Sequence, residues 1–465
     1  MHRFIRNVNK EQVCSTDTTR SALIAGTGAL KEFEDLLSSR RESAKFDRDI
    51  ADRVHGDPWP HTAWLSADQQ RMLGVPITGE VFTSPKGRSA GSKDQSVQHF
   101  ASFSTGSVNL LASIGNTPLL ELTLLSKLTG CKLLAKAEYT NPSGSIKDRV
   151  AKSLILDAEK RGLLKPGGTI IEATGGSTGV SLAMLGTSRG YKTVLTMPDI
   201  TAKEKVQMMK TMGAQVHILP TTSMSDKANH FFHVAQRLAE TIPNAYCPNQ
   251  FDNIANMQAH YEGTAPEIWR QVQGEIHGFV TSAGTSGTVA GMSRFLKKHK
   301  PDAKVWLIDP KETAAMSAFI NNDRSTSTIK DGFEIVPMAS GWTIAEGVAA
   351  LSRVTENLRK SIVDQAITAT NQEIVDMAYF LLRNDGIFVG PSSALNVLGA
   401  VKMARELGPG HTIVTILADG GIRYGSKLYN EEWLKEHNLV PHKAATNKKI
   451  VSLDFVHEHK FLKVV

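Results

Sequence analysis

The reading of this chain turns on GTIIEATGGSTGVSLAMLGTSR, Gly168–Arg189. Gly168 to Ala173 is rich in β-branched and apolar residues and predicts a buried strand. TGGSTG (Thr174–Gly179) follows it, and the pattern from Thr178 to about Arg189 predicts a helix. A strand that passes through a small-residue loop into a helix is the repeating unit of a parallel sheet covered by helices. Glycines in such a loop let the backbone approach a ligand, and the helix start offers N–H groups with no partner inside the helix. Together with the serine and threonine hydroxyls, this is chemistry for a carboxylate or a phosphate.

The same alternation extends outward from this unit. Strands are expected at Lys132–Ala137, YKTVLTMP (from Tyr191), AQVHILP (from Ala214), HGFVTSAG (from His277), KVWLIDP (from Lys304) and HTIVTILADGG (from His411). Helices are expected at Asp148–Arg161, at TAKEKVQMMKTMG with Val206, Met209 and Met212 on one face, and at Asp226–Glu240. Three more follow at Thr288–His299, Gln372–Asn384 and Ser393–Leu407. The class is therefore α/β with largely parallel sheets, and the absence of any repeat of about 20–50 residues excludes solenoids and propellers. In open parallel sheets ligands sit beyond the carboxyl ends of the strands, which directs attention to the strand-to-helix loops.

The chain has 465 residues, 41% hydrophobic and 21% charged, which suits a globular protein with a substantial core. Fifty-three Lys and Arg against 46 Asp and Glu leave a net charge of +7. That excess is spread along the chain, which favours small anionic ligands or a basic compartment over a nucleic-acid surface. Cys14, Cys131 and Cys247 cannot form a disulfide framework and lack metal-type spacing, and the histidines form no HExxH pair, so no metal site is expected. No apolar run approaches the ~18 residues a membrane span needs, and a soluble intracellular protein is the expectation.

Composition changes near residue 108. Before it lie DPWPHTAW (Asp57–Trp64) and SPKGRSAGSKDQS (Ser84–Ser96), stretches that cannot bury much apolar area, together with one amphipathic piece, Ala29–Arg41, that reads as a short helix. The expected division is a polar N-terminal extension over 1–108, a catalytic region over 109–435, and a C-terminal tail over 436–465, in which HKAATNKK (His442–Lys449) reads as a solvated stretch. Arg3, Arg6, Lys10 and Arg20 outnumber Glu11 and Asp17 at the extreme N-terminus, a weak presequence signal that leaves a cytoplasmic or a mitochondrial location open.

A second small-residue loop, GTSGT (Gly284–Thr288), joins an apolar run to a helix. It lacks the lysine and the length of a nucleotide P-loop, and it suits a single phosphate monoester on a small ligand. The third element is NPSGSIKDRVA (Asn141–Ala151), which places Lys147 in a small-residue turn at a helix start. The positive potential there disfavours a cation, lowers the amine's pKa and makes it a better imine-forming nucleophile. A lysine, a phosphate cup and a carboxylate cup are together what pyridoxal phosphate and an amino acid require.

With these residues in view, Val108 to Tyr429 resembles the fold type II pyridoxal-phosphate enzymes of the tryptophan-synthase-β type, and most of all the cysteine synthase (O-acetylserine sulfhydrylase) and cystathionine β-synthase group. IGNTPLLEL, NPSGSIKDR, TGGSTG, NQFDNIANMQAHYEGTAPEIW, GTSGT, EGV, GPSSALN and DGGIRYGSKLYN occur in the family's order. The resemblance implies two three-layer α/β/α domains, the smaller and mobile one at about 149–249 inserted in the larger. It implies that Lys147 carries the cofactor as an imine and later exchanges the substrate α-proton. Gly284, Thr285, Ser286, Gly287 and Thr288 would hold the cofactor phosphate, and the Ser392 hydroxyl would face the pyridine nitrogen. Thr174, Gly175, Ser177, Thr178 and Gln250 would bind the substrate carboxylate, with Glu346 and Gly347 opposite. A homodimer making L-cysteine from O-acetylserine and sulfide through an aminoacrylate is the implied activity. Cystathionine β-synthase chemistry with serine and homocysteine is the runner-up, ahead of a serine or threonine dehydratase. A catalytically decayed cofactor-binding regulatory protein is the alternative of another class.

One position departs from the family pattern. The usual loop is TSGNTG, whose asparagine bonds the cofactor 3′-oxygen. Ser177 stands there, with Gly175 in place of the serine, and a hydroxyl is shorter than an amide. Other residues have plainer readings: Cys131 and Cys247 as packed small side chains, and Trp269 as a core or interface aromatic. The combination of Cys14, His55 and His61 has no spacing that supports a haem or metal site.

Overall fold

The computed structural model describes residues 109–458, except Asp323, Asp331, 338–340, 349–351 and 447–451. The N-terminal leader, the segment Ala29–Arg41 expected to be helical, Cys14, His55 and His61 lie outside the described residues.

Two sheets organise the chain. The larger has six strands in the order β1 (Leu119–Glu121), β2 (Lys132–Ala137), β12 (Thr412–Leu417), β7 (Gly278–Thr281), β8 (Lys304–Pro310) and β11 (Gln365–Ala369). All its pairings are parallel except β1 with β2. The smaller sheet has four parallel strands in the order β5 (Gln215–Leu219), β4 (Lys192–Pro198), β3 (Thr169–Ala173) and β6 (Ala245–Tyr246). A short antiparallel hairpin, β9 (Thr328–Lys330) with β10 (Phe333–Ile335), stands apart. Central strands are apolar on both faces because helices cover both: TIVTIL of β12 is buried from Ile413 to Leu417.

The helices that matter for the site are α1 (Lys147–Lys160), α2 (Ser177–Ser188), α3 (Lys203–Thr211), α4 (Phe231–Thr241), α5 (Ala255–Ala259), α6 (Ala265–Gln271), α7 (Gly287–His299), α8 (Asn371–Asp385) and α9 (Pro391–Leu407). A π-helical turn, His260–Thr264, joins α5 to α6. Among the described residues no helix is long and apolar enough to cross a membrane.

Two expectations need correction. The helix expected from Asp226 begins at Phe231, because Asp226 Oδ1 instead accepts the N–H groups of Ala228 and Asn229 in a separate turn and His230 caps the helix. HKAATNKK is not simply solvated: His442 and Lys443 are exposed, but Ala445 joins the main core, as do Leu439, Phe455 and Val456 on either side, and Arg405 donates to the carbonyls of Leu453 and Val456.

Candidate active site

Three of the cavity-lining segments arrive from the carboxyl ends of strands. β3 delivers TGGSTG into α2, β7 delivers GTSGT into α7, and β12 delivers Asp419, while Lys147 opens α1. Lys147, Thr174, Gly175, Ser177, Thr178, Gln250, Gly284, Thr285, Ser286, Thr288, Gly347 and Ser392 all line one cavity, so the structure brings the two loops, the lysine and GPSS together. Glu346 lines it as well. Gly287 is the exception. A Cβ there would collide with Asn256 Oδ1, so this glycine faces away from the cavity and makes room for an asparagine behind the loop.

The amine of Lys147 is pushed below its ordinary value by burial, partly offset by the negative charges of Asp419 and Glu138. At the first position of α1 it also meets the positive end of the helix. Both effects favour a neutral, nucleophilic amine.

In the GTSGT loop Ser286 adopts a left-handed conformation (φ 65°) as it enters α7, and its buried Oγ has no hydrogen-bond partner. Thr285 Oγ1 is fixed by Asn256 Nδ2 at 2.8 Å, and the same Nδ2 group donates to Gln250 O at 2.9 Å. A buried orphan hydroxyl beside the N–H groups that open a 13-residue helix is the signature of an anion held from one side.

The TGGSTG loop is set from within: Thr174 Oγ1 accepts the N–H groups of Gly176 and Gly179. Thr178 Oγ1 donates to Gln250 Oε1 at 2.5 Å, and Gln250 Nε2 donates to Ala173 O at 2.9 Å. Ser177 Oγ lies 3.5 Å from Asp419 Oδ2 and 3.4 Å from Arg423 Nη1, both at the outer limit of hydrogen bonding. Its hydroxyl thus remains available to a ligand.

Several functional groups here were not singled out from the sequence. Asp419 is buried, accepts from Tyr424 OH at 2.7 Å through Oδ2, and leaves Oδ1 without a partner. Arg423 is buried between Ser177 and Ser143 O. Lys205, 2% exposed, pairs with Glu346 at 2.8 Å, and Lys427 reaches the other oxygen of Glu346 at 2.5 Å. Asp419, Arg423 and Asn256 stand inside motifs already quoted, so the signal was their membership. Lys205, in an ordinary amphipathic helix, offered none.

The plain readings hold for three others. Cys131 is buried, Cys247 is half-buried with its thiol pushed up by burial, and Trp269 packs against the core beside Phe295 and His299, away from the cavity. Among the described residues no cluster of three or more His, Cys, Asp or Glu could hold a metal.

The family described as pyridoxal-phosphate dependent enzyme matches residues 110–419. The chain belongs to that family, and pyridoxal phosphate is its cofactor. A cysteine synthase of Dictyostelium discoideum is 49% identical over 330 residues, covering 71% of this chain and 86% of that protein. Cysteine synthase 1 of Neurospora crassa is 41% identical over 334 residues, covering 71% and 85%. Among solved structures, the O-acetylserine dependent cystathionine beta-synthase of Helicobacter pylori superposes with a TM-score of 0.60 at 30% identity, covering 70% of this chain and 98% of that one. Within its family the chain is an enzyme of the cysteine synthase type.

Proposed function

We propose that this enzyme replaces the acetoxy group of O-acetylserine with sulfide to give L-cysteine. The observation that carries the reading is the single cavity shared by the Lys147 amine, the GTSGT loop, the TGGSTG loop and Ser392. Its relatives' names and the cavity's chemistry point the same way.

The residues fit the cofactor. Ser286 Oγ, Thr285, Thr288 and the N–H groups at the start of α7 would hold its phosphate, Ser392 its ring nitrogen, and Lys147 its aldehyde carbon. When bound, the cofactor draws electron density from the substrate α-carbon, so that the α-proton and the β-substituent can leave. The low pKa of Lys147 lets its neutral amine take that proton and return it. The Thr174 hydroxyl and the N–H groups of Gly175 and Thr178 offer the substrate carboxylate donors at the start of α2, with Gln250 holding the Thr178 side chain in place. Ser177, with Asp419 and Arg423 beyond it, offers a hydroxyl where the family has an amide.

The four-stranded region, about 149–249, is the smaller domain of this reading. Its closure would exclude water from the reacting carbon, and the ion pair of its Lys205 with Glu346 and the bonds of its Glu204 to Ser426 are the contacts that would hold it shut. A homodimer is also part of the proposal, supported by the exposed apolar side chains of Leu156 and Ile254 at neighbouring helices, and sedimentation measures it directly.

Purified enzyme offered O-acetylserine with sulfide, and separately serine with homocysteine, tests the substrate assignment. Cysteine formed from the first pair at the higher kcat/KM is the expected result. Cystathionine formed preferentially from the second would overturn it.

A further inference from the structure

The cup residue Thr288 does not stand alone. The π-helical turn His260–Thr264 brings a histidine behind it, and such turns, rare in proteins, concentrate where their offset serves a site. The widened turn fits because α7 carries Gly291 opposite it. A Cβ there would lie 2.6 Å from His260 Cβ, 2.6 Å from Met257 O and 2.7 Å from Tyr261 N. His260 is fully buried, its Nδ1 is 3.0 Å from Thr264 Oγ1, and its Nε2 is 3.3 Å from Thr288 Oγ1. Burial first, aided by the positive charge of Arg149, holds this ring neutral by pushing its pKa well below the ordinary histidine value. A neutral imidazole has one N–H and one acceptor nitrogen, so the two threonines must play opposite roles toward it.

We propose that His260 is a positioning residue for the phosphate cup: Thr264 donates to Nδ1, Nε2–H donates to Thr288 Oγ1, and the Thr288 hydroxyl proton is thereby directed into the cavity. With the other tautomer Thr288 would spend its proton on Nε2 and offer an anion only lone pairs. The inference rests on the reading of Gly284–Thr288 as the phosphate site.

The test uses full-length enzyme, with pyridoxal phosphate affinity measured by titrating the stripped protein and the phosphorus NMR resonance of the bound cofactor as a second readout. In His260→Asn the amide stands near Nδ1, keeps Thr264 and cannot reach Thr288. In His260→Gln the amide reaches the Nε2 position. His260→Asn is expected to weaken cofactor binding about tenfold, which is 1.4 kcal/mol, and to shift the resonance, while His260→Gln stays at wild type on both. Equal effects of the two variants, or none from either, overturn the proposal. Thr288→Val separates the two layers of the argument: if it leaves both readouts unchanged, the cup reading fails. If it moves both while His260→Asn moves neither, only the role of His260 fails. Should His260→Asn not fold, Thr264→Val reads the same claim, since the ring then loses the donor that fixes its tautomer. A shifted resonance is expected there, and an unshifted one contradicts the proposal.

Discussion

Glu172 shows how much of this site lies one residue away from the groups that touch a ligand. It is the penultimate residue of β3, just before the TGGSTG loop, accepts the Gln250 N–H at 3.3 Å through Oε2, and has no partner for Oε1. Burial pushes its carboxyl up to about 8 from 4.5, so the folded protein keeps a proton that the unfolded chain has already lost between those values. Stability from this group is therefore full below the unfolded value and falls as pH rises toward 8, by up to about 1.4 kcal/mol per pH unit. Glu172→Gln is expected to flatten the fall of the melting temperature between about pH 5 and 8. Parallel profiles for variant and wild type would show that the carboxyl titrates normally. At the same scale, Lys147→Ala should lower kcat by at least ~10²-fold, the range expected when a group that moves the α-proton is removed, with the fold unchanged by circular dichroism. These two residues differ in legibility. Lys147 was readable because its neighbours formed a motif, whereas nothing in TIIEA marks its glutamate as a protonated, buried one.

At the scale of elements, the strands and helices that carry the site were readable because each combines apolar periodicity with a small-residue punctuation. β3 and α2 appear within a residue of where the sequence places them, at Thr169–Ala173 and Ser177–Ser188. Elements without that combination were not. β11, QAITA, is five residues long with two alanines, and the β9–β10 hairpin has no buried residue to impose alternation. The π turn was equally silent, since it is a packing response to Gly291 on another helix. Gly287 makes the point with a consequence: its role is set by Asn256, whose amide ties the cup to the Gln250 loop. Gly287→Ala should force Asn256 aside, cost about 1–3 kcal/mol of stability and weaken cofactor retention. Pairing it with Asn256→Ser should recover stability while cofactor affinity stays low. Wild-type thermal stability and affinity in Gly287→Ala would contradict this reading.

Across the whole molecule, ion pairs join sequence-distant segments around the cavity. Glu346 bridges Lys205 of α3 and Lys427 near the chain's end, and Glu204, beside Lys205, accepts from Ser426 N and Oγ. Lys205 is nearly buried and also lies 4.4 Å over the Tyr424 ring, so removing its carboxylate leaves a buried cation with only an aromatic face. Glu346→Ala should cost on the order of 3–5 kcal/mol in urea unfolding and raise KM for the amino-acid substrate. A change below about 1 kcal/mol would reduce the pair to surface strength.

All of this depends on one amine facing one phosphate site. Borohydride reduction of the holoenzyme, followed by peptide mass mapping, attaches the cofactor permanently to whichever amine carries it. The modification is expected on the peptide containing Lys147 and absent from Lys147→Ala. Attachment to another lysine, Lys205 included, or an unmodified Lys147 in active enzyme, would contradict the account.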